Sequence, residues 1–338
     1  MEAKTPSPRP TSADVAQRAG VSRATVSYVL NDRSDHPISV ETRRRVLAAV
    51  RELGYSPNAT ARTLRAGRSN IVLMPMWQLQ TSPATNAFAE HVSRELEAQG
   101  LRLLVHYDHT ATGSDAARAW AELRPAAVLA AAQQCTPSAV QLLHRAGVSV
   151  VLLIGDAPGD HAPTVPLDGT AVARCAAEYL LDRGHQRLAC LVPRDTLAEL
   201  GQQRFEAVRA VARPAGVPVQ RVDCDLATDS LATTITAWLD PARRPSAVYA
   251  YNDEFAHALI QMLHDTGLQV PAQVAVVGSG NFPMSTVLRP RLTTVDVPAP
   301  DLARVVASAI RRLLDGQDID RDQIAAAVLP RLIIRESA

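Results

Sequence analysis

The sequence contains no run of 18 apolar residues, and its first thirty residues hold no apolar stretch long enough for a signal peptide. A membrane-spanning helix needs about 20 consecutive apolar residues, and a secretory leader needs an apolar segment behind a basic start. The sequence therefore predicts a soluble protein of the cytoplasm with no membrane partner.

Cysteine is scarce, and its pattern excludes a disulfide framework or a metal knuckle. The four cysteines lie far apart, at Cys135, Cys175, Cys190 and Cys224. The histidines show no metal spacing beyond a weak pair at His106 and His109. We therefore expect the thiols to be small buried apolar residues in a reducing compartment, and we expect no metal and no cofactor.

Enzyme motifs are missing as well. The stretch GSG at 278–280 follows an apolar run but lacks the third glycine and the downstream acid of a dinucleotide site. Asp253 and Glu254 are adjacent, so on a helix they diverge by about 100° and do not form a pair of facing carboxylates. No Gly-x-Ser-x-Gly or Walker motif occurs. These absences count against an enzyme and predict no catalytic residue.

What is present is a basic head on an acidic body. Residues 1–69 hold 12 Lys and Arg against 6 Asp and Glu, whereas the remaining residues hold 23 against 28. A length of 338 residues suits two or three domains, and 47% hydrophobic content supplies a sizeable core. The charge asymmetry predicts that the head meets a polyanion.

The head reads as three short amphipathic helices after a polar, Pro-rich lead at 1–10, which we expect to be disordered. Thr11 or Ser12, Ser22 and Ser39 are the expected helix caps, and Gly20 makes the turn between the first two helices. The shared core is expected to contain Val15, Ala16, Ala19, Val26, Val29, Leu30, Val46, Leu47, Val50 and Leu53. The domain is placed at 11–56.

Two helices joined by a tight Gly-containing turn predict a helix-turn-helix, whose second helix can enter the major groove. Arg23 and Tyr28 are long enough to reach base edges, and Ala24 is small enough to admit a thymine methyl. Short hydroxyls near the helix start suit phosphate oxygens; they are Ser22, Thr25 and Ser27. The alternative is a helical interaction module with a solvated face, which the basic surplus disfavours.

Beyond residue 69 the pattern changes to apolar runs that alternate with Ala-rich helical segments. Buried strands alternating with helices indicate parallel sheets covered on both faces. The fold class is therefore α/β, with two such sheets in 70–338. Between head and body, 57–69 forms a linker in which Asn58 to Leu64 could make two helical turns, too few to be stable alone.

The runs SADVAQRAGVSRATVSYVLN and ISVETRRRVLAAVRELGYSPNATARTL closely resemble the head of the lactose-repressor (LacI/GalR) family of bacterial transcription regulators. In the body, AEYLLDRGHQRLACL, YNDEFAHALI, VAVVGSGN and RPRLTTVDVP extend the resemblance. It implies a two-lobed, periplasmic-binding-protein-like sensor. The first lobe would comprise about 70–168 plus 299–320, and the second about 169–296 plus 321–338.

The resemblance also implies roles for individual residues on DNA. Arg23, Ala24 and Tyr28 take the base-reading positions. The backbone positions fall on Ser22, Thr25, Ser27, Asn31, Thr42 and Arg43. In the hinge helix, residues Asn58, Ala61 and Leu64 meet the minor groove, with Leu64 as the wedge at the operator centre. Tyr28 stands where Arg is common, so we expect unusual half-sites.

In the cleft between the lobes, the resemblance implies that Arg204, Asn252 and Asp253 hold an effector. Gly280 stands where an aspartate is usual, and Trp77 could supply a packing surface. The effector class stays open between an atypical sugar, a less polar metabolite and none.

The resulting prediction is a repressor that binds a palindromic operator in double-stranded DNA as a homodimer. Alternatives are an activator or an effector-independent regulator of the same family, and more remotely a solute-binding protein or an enzyme.

Overall fold

The computed structural model describes residues 10–30, 38–55, 69–76, 83–107, 113–155, 161–194, 197–226 and 231–338. The chain divides into two units, Met1–Ser69 and Asn70–Ala338. Within the first unit lie three helices: α1 (Ser12–Ala19), α2 (Arg23–Leu30) and α3 (Val40–Leu53).

The core of the head follows the helical spacing of its apolar residues. Its buried members are Val15, Ala16, Ala19, Val26, Val29, Val46 and Ala49. The prediction was wrong for Leu47, whose side chain remains 39% exposed. Residues 46, 49, 50 and 53 recur at the helical period, and position 47 lies about 100° from 46 at the edge of that stripe. Ala49 fills the place instead.

In the second unit the first lobe is built on a five-stranded parallel sheet. The elements along the chain are β1 (Ile71–Met76), α4 (Pro83–Ala98), β2 (Arg102–Tyr107), α5 (Gly113–Glu122), β3 (Ala127–Ala131), α6 (Pro137–Arg145), β4 (Val150–Ile154) and the short β5 (Thr164–Val165). The strand order is β2-β1-β3-β4-β5. Apolar clusters cover both faces, since Val72 and Leu73 of β1 enter different clusters.

The second lobe carries a six-stranded sheet. Its elements are α7 (Ala171–Asp182), β6 (Leu188–Pro193), α8 (Ala198–Ala212), β7 (Val219–Cys224), α9 (Ala232–Trp238), β8 (Ala247–Tyr249), α10 (Asp253–Asp265), β9 (Ala275–Ser279), β10 (Thr293–Asp296) and, after a return to the first lobe, β11 (Arg331–Ile333). The strand order is β11-β10-β9-β8-β6-β7, with β11 antiparallel to β10. The two-sheet α/β prediction is confirmed.

One lobe boundary was predicted wrongly. Between β10 and β11 the chain forms α11 (Ala299–Leu314) and α12 (Arg321–Ala327). The sequence placed everything from 321 onward in the second lobe. Ile324 and Ala327 of α12, however, pack in the same cluster as Val305 and Ile310 of α11, beside the first sheet. Because Ile324 and Ala327 share a helix face, α12 stays with α11, and the chain returns to the second lobe only at β11.

A buried carboxylate fixes the connection between β9 and β10. Asp253, the first residue of α10, is 0% exposed. Its Oδ2 accepts hydrogen bonds from Phe282 N–H at 2.7 Å and Ser285 Oγ at 2.6 Å, and its Oδ1 accepts one from Thr294 Oγ1 at 2.6 Å. Gly278 permits this approach, because a Cβ there would overlap Asp253 Oδ1. A buried charge requires such partners, so the carboxylate ties 282–294 to α10.

Replacing this carboxylate tests its structural weight. Asp253→Ala leaves three buried donors without their acceptor, so we expect the free energy of unfolding of the body to fall by about 3 kcal/mol or more. Urea unfolding followed by near-UV circular dichroism measures the change. Asp265→Ala, at the exposed end of the same helix, is the control and should change stability by less than about 0.5 kcal/mol. Equal effects of the two substitutions would contradict the assignment.

Candidate nucleic-acid interface and effector cleft

The second helix of the head begins at a side-chain cap. Gly20 ends α1 in the left-handed region at φ 65°, and Val21 N–H then donates to Ala16 O at 3.0 Å. Ser22 Oγ accepts from Thr25 N–H at 3.0 Å, which satisfies a backbone donor at the start of α2. The tight turn and the cap together set the direction in which α2 leaves α1.

The outward face of α2 carries the residues predicted to read bases. Arg23 and Ala24 are exposed, whereas Ser27 and Tyr28 are half-buried. Val26 and Val29 occupy the opposite side and lie in the head core. Because those two residues fix the rotation of the helix, Arg23, Ala24 and Tyr28 share a surface that can face a groove.

Most of the residues predicted to touch phosphates flank that surface. The hydroxyls of Ser22 and Thr25 lie 2.9 Å apart. At the start of α3, Ser39 Oγ caps Thr42 N–H at 3.2 Å and donates to Thr42 Oγ1 at 2.9 Å. Arg43 follows Thr42 on the first turn of α3 and is half-buried. Hydroxyls and cations at two helix starts are suited to binding successive phosphates.

A two-bond ion pair holds the first helix to the third. Arg18 Nε and Nη2 donate to the two carboxylate oxygens of Glu52 at 3.0 and 2.7 Å. Arg44 pairs with Glu41 at 2.9 Å on the surface of α3. Arg18 and Arg44 are thus neutralised locally, so the head's basic surplus is concentrated on other residues.

Several predicted site residues lie outside the described residues. They are Asn31 at the end of α2, Asn58, Ala61 and Leu64 in the hinge segment, and Trp77 after β1. Their roles stay predictions.

In the second lobe, Arg204 lies at the carboxyl edge of the sheet but is bonded to the protein. Its Nε donates to Gly169 O at 2.9 Å, and its Nη1 donates to Tyr251 O at 2.6 Å and Ser279 Oγ at 3.3 Å. The guanidinium carbon lies 4.6 Å from the centre of the Tyr251 ring. Gly169 belongs to the crossover that enters the lobe, so Arg204 joins that crossover to the ends of β8 and β9.

Asn252 and Asp253 lie beside Arg204 in the fold but also face inward. Asn252 is 7% exposed and accepts from Phe255 N–H at 3.1 Å, which caps α10. Asp253 has no exposed surface, and its carboxylate holds the β9–β10 connection. Sequence matching placed both in the cleft as effector ligands; in this conformation Asp253 cannot contact an effector, because its side chain does not reach solvent.

The cleft-edge residues that the sequence reading missed are Tyr251, Ser279 and Phe282. Ser279 donates to Tyr251 O at 2.7 Å, and Phe282 supplies a donor to Asp253. Ser279 and Phe282 flank Gly280 in the stretch VVGSGNFP. The available signal was that a buried strand ends there, at the edge where parallel sheets bind ligands.

The thiols are unreactive by environment. Burial raises the pKa of the Cys135 thiol to about 11 and that of the Cys190 and Cys224 thiols to about 12. A thiol with so high a pKa is protonated at neutral pH and is a poor nucleophile. Across the described part of the chain, no group of three or more His, Cys, Asp and Glu could hold a metal ion.

The membrane question has a direct structural answer for the described part of the chain. No helix there has the length and apolar character needed to cross a bilayer.

Comparison with known proteins identifies both units. Residues 11–58 match the family model of bacterial regulatory proteins of the lacI family, and residues 177–338 match a periplasmic binding protein-like domain. The transcriptional repressor PurR of Proteus mirabilis (strain HI4320) is 30% identical, covering 96% of this chain and 95% of that protein. PurR of Vibrio vulnificus (strain CMCP6) is 28% identical, with 96% and 97% covered.

Among solved structures, the lac repressor dimer bound to operator and the anti-inducer ONPF shares the fold. Its TM-score is 0.74 at 22% identity, with 98% of this chain and 99% of that chain covered. The match extends over both the head and the two-lobed body. Together with the sequence relatives, it establishes that the chain is a member of the LacI family of bacterial transcription regulators.

Proposed function

We propose that this regulator is a repressor. Two copies bind a palindromic operator, and a small molecule in the interlobe cleft changes their affinity for it. The carrying observation is the outward face of α2, where Arg23, Ala24 and Tyr28 stand on a helix oriented by a capped turn. A dimer would place two such helices in successive major grooves, about 34 Å apart. Acting on chromosomal DNA, the protein would work in the cytoplasm.

The repressor assignment draws on the relatives, which are named as repressors. An activator with the same head is the second candidate, because the sign of regulation depends on where the operator lies relative to the promoter. The family consists of transcription regulators, and we propose no catalytic activity for this chain.

A rigid apolar segment supports the dimer. Met284, Val287 and Leu288 are 52%, 64% and 40% exposed on the connection after β9. Ser285, between them, is fully buried and bonded to Asp253 at 2.6 Å. Exposed apolar side chains on an anchored backbone are typical of a protein contact. A second copy fits best, since a palindrome requires two-fold symmetry.

The first lobe offers a second surface for the same contact. β2 is the edge strand of its sheet, and it leaves Leu104 37% and Tyr107 49% exposed. Exposed edge strands are normally covered or charged, so an apolar edge favours burial against a partner. Both lobes would then contribute to the dimer, and the cleft between them could transmit ligand binding to the heads.

The hinge and cleft roles are proposed on the family resemblance. Leu64 would enter the minor groove at the operator centre, with Asn58 and Ala61 beside it. Asn31 would touch the DNA backbone. Arg204, Asn252 and Trp77 would frame the effector.

Base reading by Tyr28 is tested by changing sequence preference. Tyr28→Ala should alter which half-site is selected from random duplex DNA, because a lost base contact costs about 1–3 kcal/mol on one sequence and less on others. Sequencing of bound pools at physiological salt measures this. Arg43→Ala is the comparison and should weaken all sequences alike, lowering the salt slope by about 1. A uniform loss for Tyr28→Ala would argue against base reading.

The wedge role of Leu64 predicts a different pattern. Leu64→Ala should weaken operator binding much more than binding to random DNA, because only the bent operator is contacted through the minor groove. The ratio of the two dissociation constants, measured by fluorescence anisotropy, reports this. An unchanged ratio would remove the wedge from the mechanism.

The dimer surface is tested by charge. Val287→Asp should convert the protein to monomers in light scattering and weaken operator binding by about 100-fold, because the two heads are no longer linked. Leu239→Asp places the same charge on an apolar residue that is 46% exposed after α9, and it should leave the dimer intact. A dimeric Val287→Asp protein would show that 284–288 is not the contact.

A further inference from the structure

The carboxyl edge of the second sheet ends in an aromatic ring. In open α/β sheets, ligands bind outside the carboxyl ends of the strands. Gly280 is the first residue beyond β9, and Phe282 follows two positions later. Phe282 is only 7% exposed, yet it belongs to none of the apolar core clusters formed by the described residues. Its burial therefore arises at the strand ends and not in a core.

The ring fills the space directly in front of Gly280. A Cβ at position 280 would lie 2.5 Å from Phe282 Cε1 and 3.1 Å from Cδ1 and Cζ. Gly280 also has a φ of 114°, which side-chain-bearing residues rarely adopt. Any side chain at 280 would have to displace the ring, so Gly280 and Phe282 form one unit.

The backbone holds the ring in this position. Phe282 N–H donates to the fully buried Asp253 carboxylate at 2.7 Å, and Ser285 Oγ donates to the same oxygen at 2.6 Å. Pro283 follows directly and restricts the backbone further. The ring is thus attached to a segment that is anchored on both sides.

The neighbouring polar groups are bonded to the protein. Arg204 makes three hydrogen bonds, to Gly169, Tyr251 and Ser279. Ser279 is 4% exposed, and its hydroxyl donates to Tyr251 O. A ligand reaching this edge would meet an aromatic surface beside groups that already have partners.

We propose that Phe282 determines ligand specificity in this chain, because its ring makes the second-lobe side of the cleft an apolar surface that does not bind hydroxyl-rich compounds. The proposal rests on the proposed function, in which a small molecule in the cleft controls operator binding. A sugar pressed against the ring would give up hydrogen bonds to water without replacement, which costs about 1–3 kcal/mol for each buried hydroxyl. The preferred ligand is therefore one with an apolar ring.

The first test titrates full-length wild-type protein by calorimetry with D-ribose and cellobiose, two hydroxyl-rich probes. We expect no saturable heat at millimolar concentration. Saturable binding that persists unchanged in Phe282→Ala would overturn the proposal, because the ring would then have no influence on sugar binding.

The second test removes the ring and replaces it with a free one. Phe282→Ala leaves an apolar space of about one phenyl ring, and such spaces bind benzene. Benzene should bind this variant and change its operator affinity by at least about fivefold, the lower range of allosteric coupling. Phe205→Ala, which removes an equally buried ring from the core of the same lobe, is the control; benzene should leave its operator affinity unchanged.

Two results would overturn the proposal: a folded Phe282→Ala protein that does not bind benzene, or benzene binding with no more effect on operator affinity than in Phe205→Ala. If circular dichroism shows that Phe282→Ala is unfolded, Phe282→Leu, which vacates less space, is tested by the same criteria. Failure of the wild type to select any operator would instead contradict the proposed function, since the calorimetric binding tests require no DNA.

Discussion

A buried carboxylate must be bonded on every side that water cannot reach, and in this protein that requirement organises the second lobe. Asp253 stands at the start of α10 and draws donors from Phe282, Ser285 and Thr294. Those bonds fix the connection between β9 and β10. The connection in turn carries the Phe282 ring toward the cleft and three apolar side chains toward solvent. One interior interaction thus positions both the proposed ligand surface and the proposed dimer contact.

The head depends on a different constraint, the satisfaction of helix ends. Thr11, Ser22 and Ser39 each accept a backbone N–H at the start of a helix. Helices of 8 residues are marginal alone, so α1 and α2 owe their stability to these caps and to a small shared core. Because the caps set where each helix begins, they also set which residues of α2 face outward.

The cleft illustrates how a family pattern and a particular structure can diverge. Matching residues placed Arg204, Asn252 and Asp253 together, and the fold does bring them to one edge. Their polar atoms, however, bond to backbone and side chains of the same lobe. Identity at a position transfers the location of a residue more reliably than its partners, because partners depend on neighbours such as Ser279 and Phe282 that differ independently.

Local pattern determined much of the protein. Capping residues and the 3.6-residue period located the helices of the head, and uninterrupted apolar runs located β1, β3, β4 and β9. The shorter or more polar strands β5, β7 and β11 carried no such signal, because pairing with neighbours and not composition makes them strands. Likewise, only packing placed α12 in the first lobe, exposed Leu47 and buried Asp253. Periodicity specifies which face of an element is apolar, whereas the tertiary structure alone decides which surface that face meets and which polar groups are left for a ligand.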